Sequence, residues 1–278
     1  MEIIKTIKEM KEFSEEQRKK GKIIGFIPTM GYLHEGHLSL MKIAKKNCDL
    51  IIVSIYVNPT QFGPNEDLSK YPRDFERDKK LCEEVGVDVI FYPSDKEMYP
   101  GGYLTFVKVE KMSEKLCGVT RPIHFRGVTT IVLKLFEIVK PHKAYFGLKD
   151  YQQFVIVKKM MDDLNLDVEM IGCPIIREED GLAMSSRNVY LNPEKRKQAT
   201  VLSKSLQKSK KLFFEGYTDA EKLKKNIKDT ISKTSGKIDY VEILNPNTLE
   251  NVKKISKGDV IALAVFFGKT RLIDNVIL

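Results

Sequence analysis

Tryptophan is absent from the 278 residues, and cysteine and histidine occur only four times each. The four cysteines, Cys48, Cys82, Cys117 and Cys173, lie far apart and form no C-x-x-C pair. That spacing argues against a zinc ribbon or a disulfide framework and leaves buried or half-buried thiols in a reducing compartment. No run approaches the ~20 apolar residues of a membrane span. The opening segment MEIIKTIKEMKEF holds no apolar stretch of signal-peptide length. A cytoplasmic protein with no membrane partner is the expectation. Internal repeats and low-complexity segments are missing too. The lack of tryptophan and the scarcity of glutamine, beside abundant lysine and glutamate, point to a warm-growing source.

What is present has the balance of a globular chain, 42% hydrophobic and 31% charged, and is long enough for two cores. The net charge of +9 is unevenly placed. Residues 1–180 carry 28 Lys+Arg and 28 Asp+Glu, whereas residues 181–278 carry 19 and 10. The shift suggests a boundary near 180/181, with a basic second domain that attracts anions or simply presents solvated lysine-rich helix faces.

Short apolar runs at 23–27, 50–57, 88–92, 144–146 and 168–172 read as buried strands. Helical segments separate them: one opened by a capping box at Thr6 and Glu9, one after the loop 28–34 with Leu38, Met41 and Ala44 on one face, then 73–85, 127–139 and 150–164. The alternation implies an α/β fold, a Rossmann-like doubly wound parallel sheet over residues 1–180, with ligands at the carboxyl ends of its strands. After Gly181 the pattern changes. Asn192-Pro193 caps one long helix with Ala199, Leu202, Leu206 and Phe213 inward. Thr218 and Glu221 form a second capping box. Strand-like runs at 238–244, 260–267 and 271–278 follow, the last two joined by a turn at Gly268-Lys269-Thr270. Residues 181–278 therefore read as a smaller C-terminal α+β domain that closes over the active site.

Three groups of residues carry chemistry. The first is Met30-Gly31-Tyr32-Leu33-His34-Glu35-Gly36-His37, between a strand and a helix. Backbone N–H groups at a helix start favour an anion, and Gly36 allows close approach. His34 and His37, three apart, would share one helical face and donate to phosphate oxygens in the transition state. Half a metal site or two surface histidines are the competing readings, and no third ligand accompanies the pair. The second group is Met184-Ser185-Ser186-Arg187, two hydroxyls and a guanidinium that form a compact anion clamp. An H-x-G-H turn paired with such a loop is the pattern of the nucleotidyltransferase superfamily that includes class I aminoacyl-tRNA synthetases. The third group comprises Asn58, Gln61 and Phe62 after one strand, and Gly147, Leu148, Lys149, Asp150 and Gln153 after another. Gln61 and Gln153 suit a substrate bearing hydroxyls and a carboxylate. Lys149 suits a phosphate, and Asp150 either accepts from a ribose hydroxyl or caps the next helix.

Taken together, PTMGYLHEGH, VNPTQFGPNEDLSKYPR, RPIHFRGV, FGLKDYQQ and REEDGLAMSSRN resemble the pantothenate synthetase (pantoate–β-alanine ligase) family along the whole chain. The resemblance is weakest after about residue 192. It implies that pantoate and ATP form pantoyl adenylate, which β-alanine attacks to give pantothenate and AMP. It implies an ATP site of residues 30–37, Gly147–Asp150, Ile176 and residues 184–187, with His34, His37, Lys149, Ser185, Ser186 and Arg187 catalytic. Gln61 and Gln153 would hold pantoate, Asn58, Phe62 and Arg121 would line the pocket, and the chain would work as a homodimer. Mg²⁺ would accompany ATP, chiefly through the phosphates, with Asp78 a candidate protein contact. Segment 63–72 would close over the adenylate as a lid. The alternatives are another adenylyl-transferring member of the superfamily, or an RNA-binding module on the basic segment 193–233. That segment carries 12 Lys+Arg against 5 Asp+Glu but lacks interleaved aromatics.

Overall fold

The computed structural model describes residues 1–64 and 66–278. They pack as two compact units, Met1–Leu148 with Ile156–Pro174, and Lys149–Val155 with Ile175–Leu278.

In the first unit, six parallel strands line up in the order β1-β4-β3-β2-β5-β6. They are β1 (Glu2–Ile4), β2 (Ile24–Thr29), β3 (Leu50–Ile55), β4 (Val89–Phe91), β5 (Lys143–Gly147) and β6 (Glu169–Cys173). The helices are α1 (Ile7–Lys19), α2 (Glu35–Lys45), α3 (Phe75–Val85), α4 (Asp95–Met98), α5 (Cys117–Thr120), α6 (His124–Val139) and the part of α7 (Tyr151–Asp163) from Ile156 onward. The central strands are continuous apolar runs because both faces are covered: Phe26, Ile27, Ile52, Val53, Ile90 and Phe91 are all buried. From β2 the chain winds one way to β3 and β4, then returns to β5 on the other side of β2. The switch point of the sheet thus falls beside β2, where open α/β sheets bind ligands.

Five strands are expected from sequence and six are found. The extra one, β1, is a three-residue edge strand that pairs Ile3 with Ile90. It is too short to show a pattern of its own. Thr6 caps α1 as expected, its hydroxyl accepting the Glu9 N–H at 3.2 Å. Helix α6 starts at His124, ahead of the expected position 127.

In the second unit, helices α8 (Pro193–Ala199), α9 (Val201–Phe214) and α10 (Ala220–Ile231) precede β7 (Lys237–Leu244), β8 (Val260–Phe267) and β9 (Thr270–Ile277), an antiparallel sheet in that order. Leu202, Leu206, Leu223, Ile227, Val241 and Leu263 share its core. The single long helix expected after Asn192 is two helices, broken at Thr200. The Thr200 hydroxyl donates back to the Lys197 carbonyl at 2.9 Å, a local bond that competes with helix propagation. Asp219, not Thr218, caps α10, accepting the Lys222 N–H at 3.0 Å. Gly268, at φ +64°, turns β8 into β9.

Some lysines of 193–233 pair along their own helices, as in Lys225–Asp229 and Lys211–Glu215, while Lys224 lies between Glu221 and Glu242. Among the described residues there is no disulfide and no helix long and apolar enough to cross a membrane. Burial pushes the Cys82 thiol up to about 12 and the Cys173 thiol to about 11, so neither is a ready nucleophile.

Candidate functional site

The carboxyl end of β2 runs directly into the turn that carries the two histidines. His34 is not on the helix but caps it, with φ −142° and ψ 173°. Its Nδ1 accepts the Gly36 N–H at 3.1 Å. The His37 Nδ1 accepts the His34 N–H at 3.3 Å in return. The rings lie 4.1 Å apart, centroid to centroid. The expectation of two histidines on one helical face is therefore corrected: the spacing of three serves a reciprocal cap. The cap has a chemical consequence. With Nδ1 accepting on both rings, the proton of each neutral imidazole sits on Nε2, giving two N–H donors at the start of α2.

The turn before His34 is strained, with Gly31 at φ +80° and Tyr32 at φ +51°. Asp78 on α3 holds it. Its carboxylate accepts the N–H of Tyr32 at 2.6 Å and of Leu33 at 2.7 Å. A Cβ at position 31 would lie 2.9 Å from Asp78 Oδ2, so glycine is required there for space as well as for φ. Burial pushes the Asp78 carboxyl up, against the two N–H groups and the Arg77 cation that pull it down. The carboxylate is 1% exposed and both of its oxygens accept from backbone, which makes it the anchor of the loop. Among the described residues, no group of three or more His, Cys, Asp or Glu side chains could hold a metal ion.

After β3, Asn58 caps a short 3-10 turn, Pro59–Gln61. The Gln61 side chain is 7% exposed, and its Nε2 lies 3.0 Å from Met30 Sδ. Its backbone carbonyl accepts from Arg121 Nη2 at 3.2 Å and from His124 Nδ1 at 3.0 Å. A carbonyl cannot donate, so His124 carries its proton on Nδ1. Arg121 is also bidentate to Glu66, through Nε at 2.9 Å and through a second, shorter contact. Phe62 is buried, with its ring edge-on to Tyr71 at 5.9 Å. Within 63–72, Asn65 lies outside the described residues. Arg73 donates to the carbonyls of Tyr71 and Leu68, which holds that end of the segment.

Lys149, Asp150, Gln153, Ile176 and the loop from Met184 to Arg187 belong to the second unit. The Lys149 carbonyl accepts from Asn275 Nδ2 at 2.9 Å. The neighbouring Asp274 makes a bidentate pair with Arg177 at 2.7 and 2.9 Å. Adjacent residues of β9 thus tie down both Lys149 and the strand-like stretch leading to Met184, whose N–H donates to the Ile176 carbonyl at 3.0 Å. Ser185 caps the 3-10 turn Ser186–Tyr190 by accepting the Arg187 N–H at 3.3 Å. Asn188 donates to Glu178 at 2.6 Å, and Glu178 and Asp180 both bind Arg196. The hydroxyl-guanidinium loop is built on this carboxylate frame.

The profile of the family Pantoate-beta-alanine ligase matches residues 2–277. The chain belongs to the pantoate–β-alanine ligase family. It is 60% identical to the pantothenate synthetase of Acetivibrio thermocellus, over all of this chain and 99% of that one. Its identity to the pantothenate synthetase of Thermotoga neapolitana is also 60%, over the full length of both. Among solved structures, the pantothenate synthetase of Thermus thermophilus superposes with a TM-score of 0.94 at 42% identity, covering 99% of each chain. The pantoate-beta-alanine ligase of Francisella tularensis, solved with beta-gamma ATP and beta-alanine, has a TM-score of 0.83 at 37% identity, covering 100% of this chain and 97% of that one.

Members of this ligase family thus share the whole fold with this chain. Its first unit gathers the segment from Met30 to His37, then Asn58, Gln61, Phe62, Arg121 and Gly147, about the carboxyl ends of β2, β3 and β5. Leu148 and Asp78 also belong to the first unit, and the second unit holds Lys149, Asp150, Gln153, Ile176 and residues 184–187. Sequence reasoning missed Tyr99, Glu66, Asp274 and Asn275, each of which binds a candidate residue or its neighbour from far along the chain. Glu66 falls within the VNPTQFGPNEDLSKYPR segment without being singled out there, and no local motif marks the other three.

Proposed function

We propose that the chain condenses (R)-pantoate with β-alanine in two steps. Pantoate and ATP give pantoyl adenylate and pyrophosphate, and the β-alanine amine then displaces AMP to give pantothenate. The observation that carries this reading is the contact of Gln61 Nε2 with Met30 Sδ. It sets a side chain suited to an acid's oxygens beside the turn suited to phosphates. The family membership and the full-length likeness to pantothenate synthetases support it.

A carboxylate with pKa near ~4 is already ionised at neutral pH, so the first step needs no base. It needs alignment on the α-phosphorus and stabilisation of the leaving pyrophosphate. The Nε2–H groups of His34 and His37 supply donors from the first unit. In this reading Lys149, Ser185, Ser186 and Arg187 serve the same nucleotide. Gln61 and Gln153 orient pantoate, while Asn58, Phe62 and Arg121 shape its pocket. The second step needs a neutral amine, which costs roughly 4 kcal/mol at pH 7 for a group of pKa ~10. No side chain is assigned to that deprotonation. Among the described residues no cluster of carboxylates builds a cage for Mg²⁺, so in this reading magnesium enters with the phosphates of ATP. The reading extends to a homodimer in the cytoplasm, and to segment 63–72 and the second unit excluding water from the adenylate.

The test is AMP release by purified protein given ATP, Mg²⁺, pantoate and β-alanine, each omitted in turn. Full release needs all four. Release that ignores the omission of pantoate defeats the assignment.

A further inference from the structure

The amides around Gln61 form a chain whose orientations are decided at one atom. The Gly127 carbonyl can only accept, so the Asn58 atom 3.1 Å from it is Nδ2. That nitrogen also donates to Gln61 at 3.0 Å, so the Gln61 atom there is Oε1. Asn58 Oδ1 therefore faces the other way, where it accepts the Tyr99 hydroxyl at 2.8 Å and the Thr60 hydroxyl at 3.0 Å. The remaining Gln61 atom is Nε2, a donor, set against the weakly accepting sulfur of Met30. Asn58 is 1% exposed, so water offers its amide no alternative partners. Burial pushes the Tyr99 hydroxyl up to about 12, so it keeps its proton at neutral pH. Its ring is held in place by Lys134 Nζ, 5.0 Å from the centroid, and by the edge-on ring of Tyr103.

We propose that Tyr99 is a positioning residue which, through Asn58, locks the Gln61 amide with Nε2 toward the bound acid, so that this wall of the pocket reads an acceptor oxygen. The proposal rests on the reading that Gln61 meets pantoate. Tyr99 acts here only through Asn58 and has no part in the chemical steps. A rotated Gln61 would present a carbonyl to a carboxylate or hydroxyl oxygen, replacing an attraction with a repulsion. The Thr60 hydroxyl and the Thr60 N–H, at 3.4 Å, also donate to that Asn58 oxygen while Gly127 holds the nitrogen, so loss of either hydroxyl loosens the lock and loss of both loosens it further.

The experiment compares wild type, Tyr99→Phe, Thr60→Val and the double variant. Tyr99→Phe keeps the ring and its packing. Its KM for pantoate rises roughly three- to tenfold, the worth of one hydrogen bond, while the KM for ATP stays within about twofold and the unfolding temperature holds. Thr60→Val behaves alike, and the double variant exceeds either. An unchanged pantoate KM overturns the proposal. So does a parallel rise in both KM values with a lower unfolding temperature, which would make Tyr99 merely structural. A second readout does not depend on turnover. In ¹⁵N-glutamine-labelled protein, the Gln61 side-chain resonances, identified by their loss in Gln61→Ala, shift or broaden in Tyr99→Phe. Identical resonances sink the lock even if the ligase reading stands. Wild type that needs no pantoate for AMP release sinks the ligase reading, while the resonances still decide the lock.

Discussion

The Asp78 carboxylate on α3 accepts the Leu33 N–H at 2.7 Å across 45 positions of sequence. It accepts the Tyr32 N–H as well, so the turn that delivers His34 to the head of α2 hangs on one side chain. Asp78→Ala leaves two buried N–H groups without an acceptor, and we expect it to cost about 2–4 kcal/mol in urea unfolding. Asp78→Asn keeps one acceptor and should lose less. Both variants should lower kcat, because the histidine cap is no longer held in place.

His37→Ala removes the acceptor for the His34 N–H together with the donor we propose for phosphate. We expect kcat to fall roughly a hundredfold with little change in ATP affinity, because the donor is worth most against the charge of the transition state. Equal losses in kcat and in calorimetric ATP affinity would reduce His37 to a ground-state contact.

Gly127 sits where α6 crosses the Pro59–Gln61 turn. A Cβ there would meet the Thr60 carbonyl oxygen at 2.4 Å and Gln61 Cα at 2.6 Å. Both are backbone atoms, so Gly127→Ala must push the turn away, at about 1–3 kcal/mol. The pantoate KM should rise while the second unit remains intact. Thermal unfolding together with KM values for each substrate checks this.

Arg177 and Asp274 form a bidentate pair in which the carboxylate is 1% exposed. Arg177→Ala strands that charge and should destabilise the protein by about 3–5 kcal/mol. Arg177→Ala combined with Asp274→Asn should recover part of the loss, a result readable in one double-mutant cycle.

The Asp180 carboxyl is held below its ordinary value of 3.8, first by the hydrogen bond from Arg196. A depressed folded value means that the pairing contributes stability above the unfolded value and loses it as pH falls through the folded one. Arg196→Gln should therefore be less stable than wild type at pH 7, with the gap narrowing in strong acid. Urea midpoints across that range measure it.

Much of this was legible in the order of residues. Buried parallel strands announce themselves as short apolar runs, because both faces of each strand need the same kind of side chain. Caps at Thr6 and Asn192 are legible because a cap is a bond across three residues. The three-residue strand β1 was not legible, since its pairing with β4 supplies what its own sequence lacks. Nor was the break at Thr200, where a threonine bonding back to Lys197 outweighs an unbroken helical stripe.

The sequence by itself determined the family, the parallel sheet and the placing of the histidine turn and the glutamine turn after strands. Each rests on interactions between near neighbours or on periodicity within one element. Only the tertiary structure decided that Asp78 anchors the histidine turn from another helix, and which way the Asn58 and Gln61 amides point. Those depend on partners dozens of residues away, Asp78 for Leu33 and Gly127 and Tyr99 for Asn58, brought within 3.1 Å by folding, and a hydrogen bond's direction is set by both of its ends.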